Sequence, residues 1–111
     1  LAAVLKVVAR IAALCGGLLL GTVVRADPAA EAAFAKSKNC LACHAVDKKV
    51  VGPAFQAVAE KYRQDPGASE RLALKVRQGG NGVWGVVYMP ANGQVSPDES
   101  KRLVAWVLSL K

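Results

Sequence analysis

The sequence is short of the groups that most site chemistry uses: it has one histidine, one methionine and three cysteines in 111 residues. Each shortage closes a possibility. Cys15 lies near the start, so only Cys40 and Cys43 serve the remainder, and no framework of several disulfides can form. A structural zinc site wants four ligands; with His44 the sole histidine and no third cysteine beyond the first segment, only a carboxylate such as an Asp completes it. There is no arginine-rich run with interleaved aromatics. The formal charge of +7 is therefore weak ground for nucleic acid and better suits an acidic protein surface or lipid headgroups. No internal repeat occurs, and no apolar run reaches the roughly 20 residues that cross a bilayer comfortably. What remains is one small domain with a modest core, which gains much from a cofactor as added core material.

The first 26 residues differ from the rest. Lys6 and Arg10 precede the apolar run IAALCGGLLLGTVV, and VRA stands just before Asp27. That order of charged, apolar and small residues predicts a secretory leader over 1–26, cleaved after Ala26, with the domain proper at 27–111. Gly16, Gly17 and Gly21 argue against a buried N-terminal helix. A retained membrane anchor is the alternative. Loss of Lys6, Arg10 and Arg25 lowers the charge from +7 to +4.

The rest of the chain reads as about four short helices with long loops and no convincing sheet. Pro28 and Glu31 predict a helix through ADPAAEAAFAKSK that delivers Cys40 and Cys43 near its C-terminal end, with Phe34 on its apolar side. A second helix follows Pro53, with Phe55, Val58, Ala59 and Tyr62 at helical spacing. The third, in GASERLALKVRQGG, turns Leu72, Val76 and Ala68 or Ala73 inward and stops at Gly79 and Gly80. NGVWGVVYMPANGQV is too rich in glycine for a helix and too interrupted at Gly85 for a persuasive strand. Ser96, Pro97 and Glu99 form a capping box for a last helix, with Leu103, Val104, Val107 and Leu108 inward and Trp106 on the flank or at a helix crossing.

The densest chemistry lies in CLACH, residues 40–44. A CxxCH run reads as covalent haem attachment. Residues three apart on a helical turn face one side, so Cys40 and Cys43 reach the two vinyl groups of one porphyrin edge, and His44 turns its ring nitrogen onto the iron. Three other readings stand beside it. A thioredoxin-like pair wants a strand before the first cysteine and a helix after it; the others are a zinc site completed by an Asp, and a plain disulfide. An electron-carrying iron needs a sixth ligand, for which Met89 is the one soft candidate. A lone methionine is ordinarily packing, but Met89 stands beside Pro90 in a loop with little helix to pack on.

With AKSKNCLACHAVDKKVVGPAF, GGNGVWGVVYMP and SPDESKRLVAWVLSL in that order, the chain resembles the small bacterial class I monohaem cytochromes c, of the c-551 type. The resemblance implies an all-α fold of about four helices around one haem c per chain, attached through Cys40 and Cys43. It implies His44 as proximal and Met89 as distal iron ligand, and the Pro53 carbonyl as acceptor of the other His44 ring N–H. It also implies Trp84 donating its indole N–H to a haem propionate, and Asn81 in the glycine-rich loop passing the haem edge. The chain departs from the family at Tyr88, where a proline commonly precedes the methionine, and in one extra residue between Phe34 and Cys40.

With both axial positions filled, the expectation is a periplasmic one-electron shuttle between respiratory partners and not an enzyme. Lys36, Lys38, Lys48, Lys49 and Lys61 are candidates for steering acidic redox partners, met transiently by a monomer. No small-molecule substrate and no nucleic acid is expected. The competing readings are a membrane-tethered cytochrome or small haem subunit of a larger oxidoreductase, a ligand-binding or catalytic haem protein with Met89 off the iron, and a protein without haem.

Overall fold

A computed structural model describes residues 16–18, 20–22 and 25–111. The leader expected over 1–26 therefore lies largely outside the described residues. Among the described residues, no helix is long and apolar enough to cross a membrane.

Helix α1 spans Pro28–Ser37; Pro28 opens it and the Asp27 carboxylate caps it by accepting from the Ala29 N–H at 3.0 Å. It does not run on to the cysteines. Asn39 takes a left-handed conformation with φ of 67°, which interrupts the helix, and Cys40–Ala42 form a separate 3-10 turn. Asn tolerates that conformation better than most residues. The expected delivery of the two cysteines by one helix is thus corrected: a short turn carries them, packed on the end of α1.

Helix α2 covers Phe55–Tyr62, α3 Ala68–Gln78 and α4 Pro97–Ser109. The Phe55 and Gln56 N–H groups at the start of α2 donate to the carbonyls of Ala45 and Val46, both at 2.9 Å, so the preceding loop takes the place of a side-chain cap. Helix α4 has the expected capping box: the Glu99 N–H donates to the Ser96 hydroxyl at 3.1 Å, and the Ser96 N–H to the Glu99 carboxylate at 3.0 Å.

Helix α4 packs on all three of the others. Its Leu103 and Val104 are buried as expected, while Val107 and Leu108 are half-buried. Trp106 takes the second of its two expected places, the helix crossing. It is 7% exposed, in the core cluster with Ala35, Phe55, Val95 and Leu103, its ring edge-on to Phe55 at 5.5 Å. Among the described residues two polar side chains are buried as well, and both are partnered. The Ser100 hydroxyl donates to the Ala73 carbonyl at 2.6 Å, tying α4 to α3, and Glu31 takes three hydrogen bonds from Arg102, tying α1 to α4.

One expectation fails outright. Residues 80–89 form a hairpin, with β1 at Gly80–Gly82 and β2 at Gly85–Met89, antiparallel, pairing Gly80 with Met89 and Gly82 with Gly85 across an irregular register. The glycines that read as breakers make the ribbon possible: Gly80, Gly82 and Gly85 have φ of 143°, 105° and 115°, which side chains resist. The Asn81 amide donates to the Val86 carbonyl at 3.2 Å across the hairpin.

Candidate functional site

The residues expected to hold or border the haem, namely Cys40, Cys43, His44, Pro53, Asn81, Trp84 and Met89, all line one cavity of about 490 Å³. The turn after α1 supplies the cysteines, the following loop His44 and Pro53, and the hairpin the other three. Helices α2, α3 and α4 complete the wall with apolar side chains, among them Val58, Leu72, Val76 and Leu103.

His44 is the most tightly specified of these groups. Its Nδ1 lies 2.7 Å from the Pro53 carbonyl oxygen. A carbonyl only accepts, so Nδ1 carries the proton and Nε2 is left with a free lone pair. Phe55 stacks on the imidazole with centroids 4.9 Å apart and planes 19° from parallel. On the loop side, a Cβ at Gly52 would collide with the ring, so only glycine lets the backbone pass there. The Gly52 and Val51 N–H groups donate to the Cys43 carbonyl at 2.7 and 3.1 Å, locking the loop to the cysteine turn.

Both thiols are unbridged and half-buried, and burial pushes the Cys40 thiol above the ordinary cysteine range. The thioredoxin-like reading finds no support, since α1 and a 3-10 turn precede and carry the pair. Zinc finds none either: among the described residues, no group of three His, Cys, Asp or Glu side chains could hold a metal ion.

Met89 ends β2, half-buried, at the cavity. Gly79, with φ of 73°, ends α3 where a Cβ would strike the Met89 carbonyl, which brings helix and strand into close contact. Asn92 then pins the segment after the methionine: its side-chain amide donates to the carbonyls of Val76 at 2.7 Å and Pro90 at 3.3 Å. The Arg77 guanidinium adds a bond to the Val95 carbonyl at 3.2 Å. Gly79 ends α3 as expected, but sequence reading missed its close approach to Met89 and the role of Asn92. The one local signal for Asn92 was an Asn in a Pro-Ala-Asn-Gly turn, where such side chains bond nearby backbone.

The lysines divide. Lys38 is taken up inside the fold, with an ion pair to Glu99 at 2.6 Å and a bond to the Gln94 carbonyl at 3.4 Å, so it is a structural clasp and not a free steering charge. Lys49 lines the cavity, as does Lys75, which the sequence reading did not single out. Lys36 and Lys48 are exposed.

The donor set fits a haem. Two thiols three residues apart suit thioether bonds, one imidazole offers a free nitrogen, one thioether stands at the same cavity, and the walls are apolar enough for a flat hydrophobic ring. Comparisons with known proteins agree. The family model described as Cytochrome c matches residues 29–111. Cytochrome c2 of Rhodocyclus tenuis is 52% identical over 86 residues, covering 73% of this chain and 92% of the relative. Cytochrome c-551 of Stutzerimonas stutzeri is 46% identical over 106 residues, covering 96% of this chain and 98% of the relative. Among solved structures, wild-type cytochrome c552 of Nitrosomonas europaea superposes with a TM-score of 0.70 at 48% identity, covering 72% of this chain and 99% of that one.

Proposed function

The chain belongs to the cytochrome c family, with haem c bound covalently through Cys40 and Cys43, and from that premise we propose a periplasmic one-electron carrier whose iron is held by His44 and Met89. It is a small electron carrier and not an enzyme. The observation that carries the ligand assignment is the 2.7 Å bond from His44 Nδ1 to the Pro53 carbonyl, which fixes the tautomer and leaves Nε2 for a metal. Once bound, the haem supplies one reversible electron between ferric and ferrous iron.

The protein side chains set the terms of that exchange. The Pro53 carbonyl makes the imidazole more electron-rich, and Phe55 and Gly52 hold its plane. Met89 is the only methionine and stands at the cavity, where its soft sulfur favours the ferrous state. The apolar walls exclude water and disfavour the extra positive charge of ferric iron. Held by both His44 and Met89, the iron would keep no position open for a substrate, and the chemistry supplied would be electron transfer alone.

A net charge of +4 without the leader and the exposed Lys36 and Lys48 favour brief encounters of a monomer with acidic redox proteins. Cleavage after Ala26 would release the domain into the periplasm.

The test is the absorption spectrum of periplasmic protein, oxidised and reduced. Covalent haem and the weak band at the red end of the visible spectrum given by methionine-ligated ferric haem are expected. Met89→Ala should abolish that band and lower the potential; an unchanged band in this variant refutes the ligand assignment.

A further inference from the structure

Lys61 occupies the last turn of α2, and its ammonium lies 5.7 Å from the centre of the Trp84 ring and 5.8 Å from that of Tyr62. Trp84 stands between β1 and β2 at the tip of the hairpin, 44% exposed, with its ring on the cavity. The ion pairs found among the described residues use Lys38, Arg71 and Arg102, and none uses Lys61. A cation without a carboxylate partner is thus held against an indole at the rim of the haem cavity. The hairpin tip has little else to fix it: neighbouring Val83 and Val86 are exposed.

We infer that Lys61 is a positioning residue for Trp84, holding the indole and strengthening its N–H as a donor to a haem carboxylate. The inference rests on the haem site proposed above and on Trp84 facing a propionate there. The physical chain is short. A cation is drawn to the negative face of an indole, which restricts the ring to fewer orientations. It also pulls electron density from the ring, and the indole nitrogen is a donor only, so its N–H becomes the better partner for an anion. A carboxylate whose charge is drawn into such a bond stabilises ferric iron less, and the reduction potential rises. Lys61 therefore does more than add to the steering field.

The experiment uses the haem-loaded protein at low ionic strength and compares Lys61→Gln, Lys61→Arg, Trp84→Phe and the Lys61→Gln/Trp84→Phe pair. Lys101→Gln, on the exposed side of α4, controls for loss of any surface charge. Lys61→Gln should lower the potential more than Lys101→Gln does, Lys61→Arg should restore it, and Lys61→Gln should have less than half its effect in the Trp84→Phe background. A second readout follows the ring itself. In Lys61→Gln the indole N–H resonance of Trp84 should move and exchange faster with water, while that of buried Trp106 stays in place. Equal shifts from Lys61→Gln and Lys101→Gln, or an undiminished Lys61→Gln effect in Trp84→Phe, overturn the inference. The methionine band is read separately in the parent protein; its absence there would refute the axial ligands and leave the Lys61–Trp84 coupling to be judged on its own data.

Discussion

The helical shell and the hairpin solve the same problem in different ways. In the shell, apolar side chains meet one another: Trp106 lies edge-on to Phe55, and Ala35, Leu103 and Val95 close the cluster around them. In the hairpin, Val86 is 89%, Val87 62% and Tyr88 60% exposed to the surroundings that the polypeptide itself provides. Val87, Tyr88 and Met89 all stand at the cavity. One region is thus a core already closed by protein side chains, with Ala35, Phe55, Leu103 and Trp106 also forming part of the cavity wall, and the other is half of a core whose second half is the haem. Burial of apolar surface contributes about 25 cal/mol per Å², and the hairpin obtains its share only against the ring.

The sharpest way to break this contrast is to remove the attachment. A Cys40→Ser/Cys43→Ser protein should lack covalent haem and lose cooperative unfolding. In hydrogen exchange, amides of residues 80–89 should fall to the level of unfolded chain, while those of α4 keep part of their protection. If both regions lost protection to the same extent, the division into two kinds of core would be wrong.

A cavity cut into the shell tests the other side. Trp106→Ala removes a buried aromatic and should cost about 3–5 kcal/mol, read by denaturant unfolding of the haem-loaded protein. Although Trp106 lines the cavity, it reaches His44 only through Phe55 and takes no part in the His44–Pro53 bond, so the visible spectrum should change little in the protein that still folds.

Between these extremes lies the seam where shell and haem site share atoms. Gly52→Ala would push a methyl group into the His44 ring, which Phe55 holds from elsewhere. A cost of about 1–3 kcal/mol is expected from overpacking, together with a change in the haem spectrum that Trp106→Ala does not produce. Stability loss without any spectral change would show that the ring is free to shift.

The same contrast explains which parts of the molecule were legible from sequence. Capping residues and 3.6-residue spacing are local signals, so all four helices stood out, and CxxCH with VGP marked one wall of the cavity within fourteen residues. The hairpin did not stand out. Its glycines adopt positive φ, which reads as loop, and a strand whose partner is a cofactor shows no alternation of buried and exposed residues. For Trp106 the sequence allows either the flank or a helix crossing, because helical spacing places a residue on an arc but does not say how many neighbours crowd that arc. The clasp between Glu31 and Arg102 was invisible for another reason: the partners are 71 residues apart, and the sequence gives Glu31 an adequate local role at the start of α1.

That clasp supplies the smallest effect and a pH dependence confined to the shell. The bonds from Arg102 hold the Glu31 carboxyl below the ordinary carboxylate range, against the opposing effect of burial, and Lys38 does the same for Glu99. A carboxyl with a depressed folded pKa is more readily protonated in the unfolded chain. Its stabilisation is therefore complete above the unfolded value, about 4.3 for Glu, and is lost as pH falls through the lower folded value. Thermal unfolding of the haem-loaded protein should then be flat from neutral pH to about pH 5 and fall below about pH 4. Glu31→Gln should lower the transition temperature modestly at pH 7 and flatten the acid fall, since the amide keeps part of the hydrogen bonding but has no proton to gain. Arg102 also lies 3.9 Å from the centre of the Phe34 ring, so loosening it frees the side of α1 that leads into the cysteine turn. The haem spectrum should nevertheless hold until unfolding begins, because the His44–Pro53 bond and the Phe55 stack lie outside the clasp. A spectral change preceding the thermal transition in acid would show that shell and haem site are coupled more tightly than their separate contacts imply.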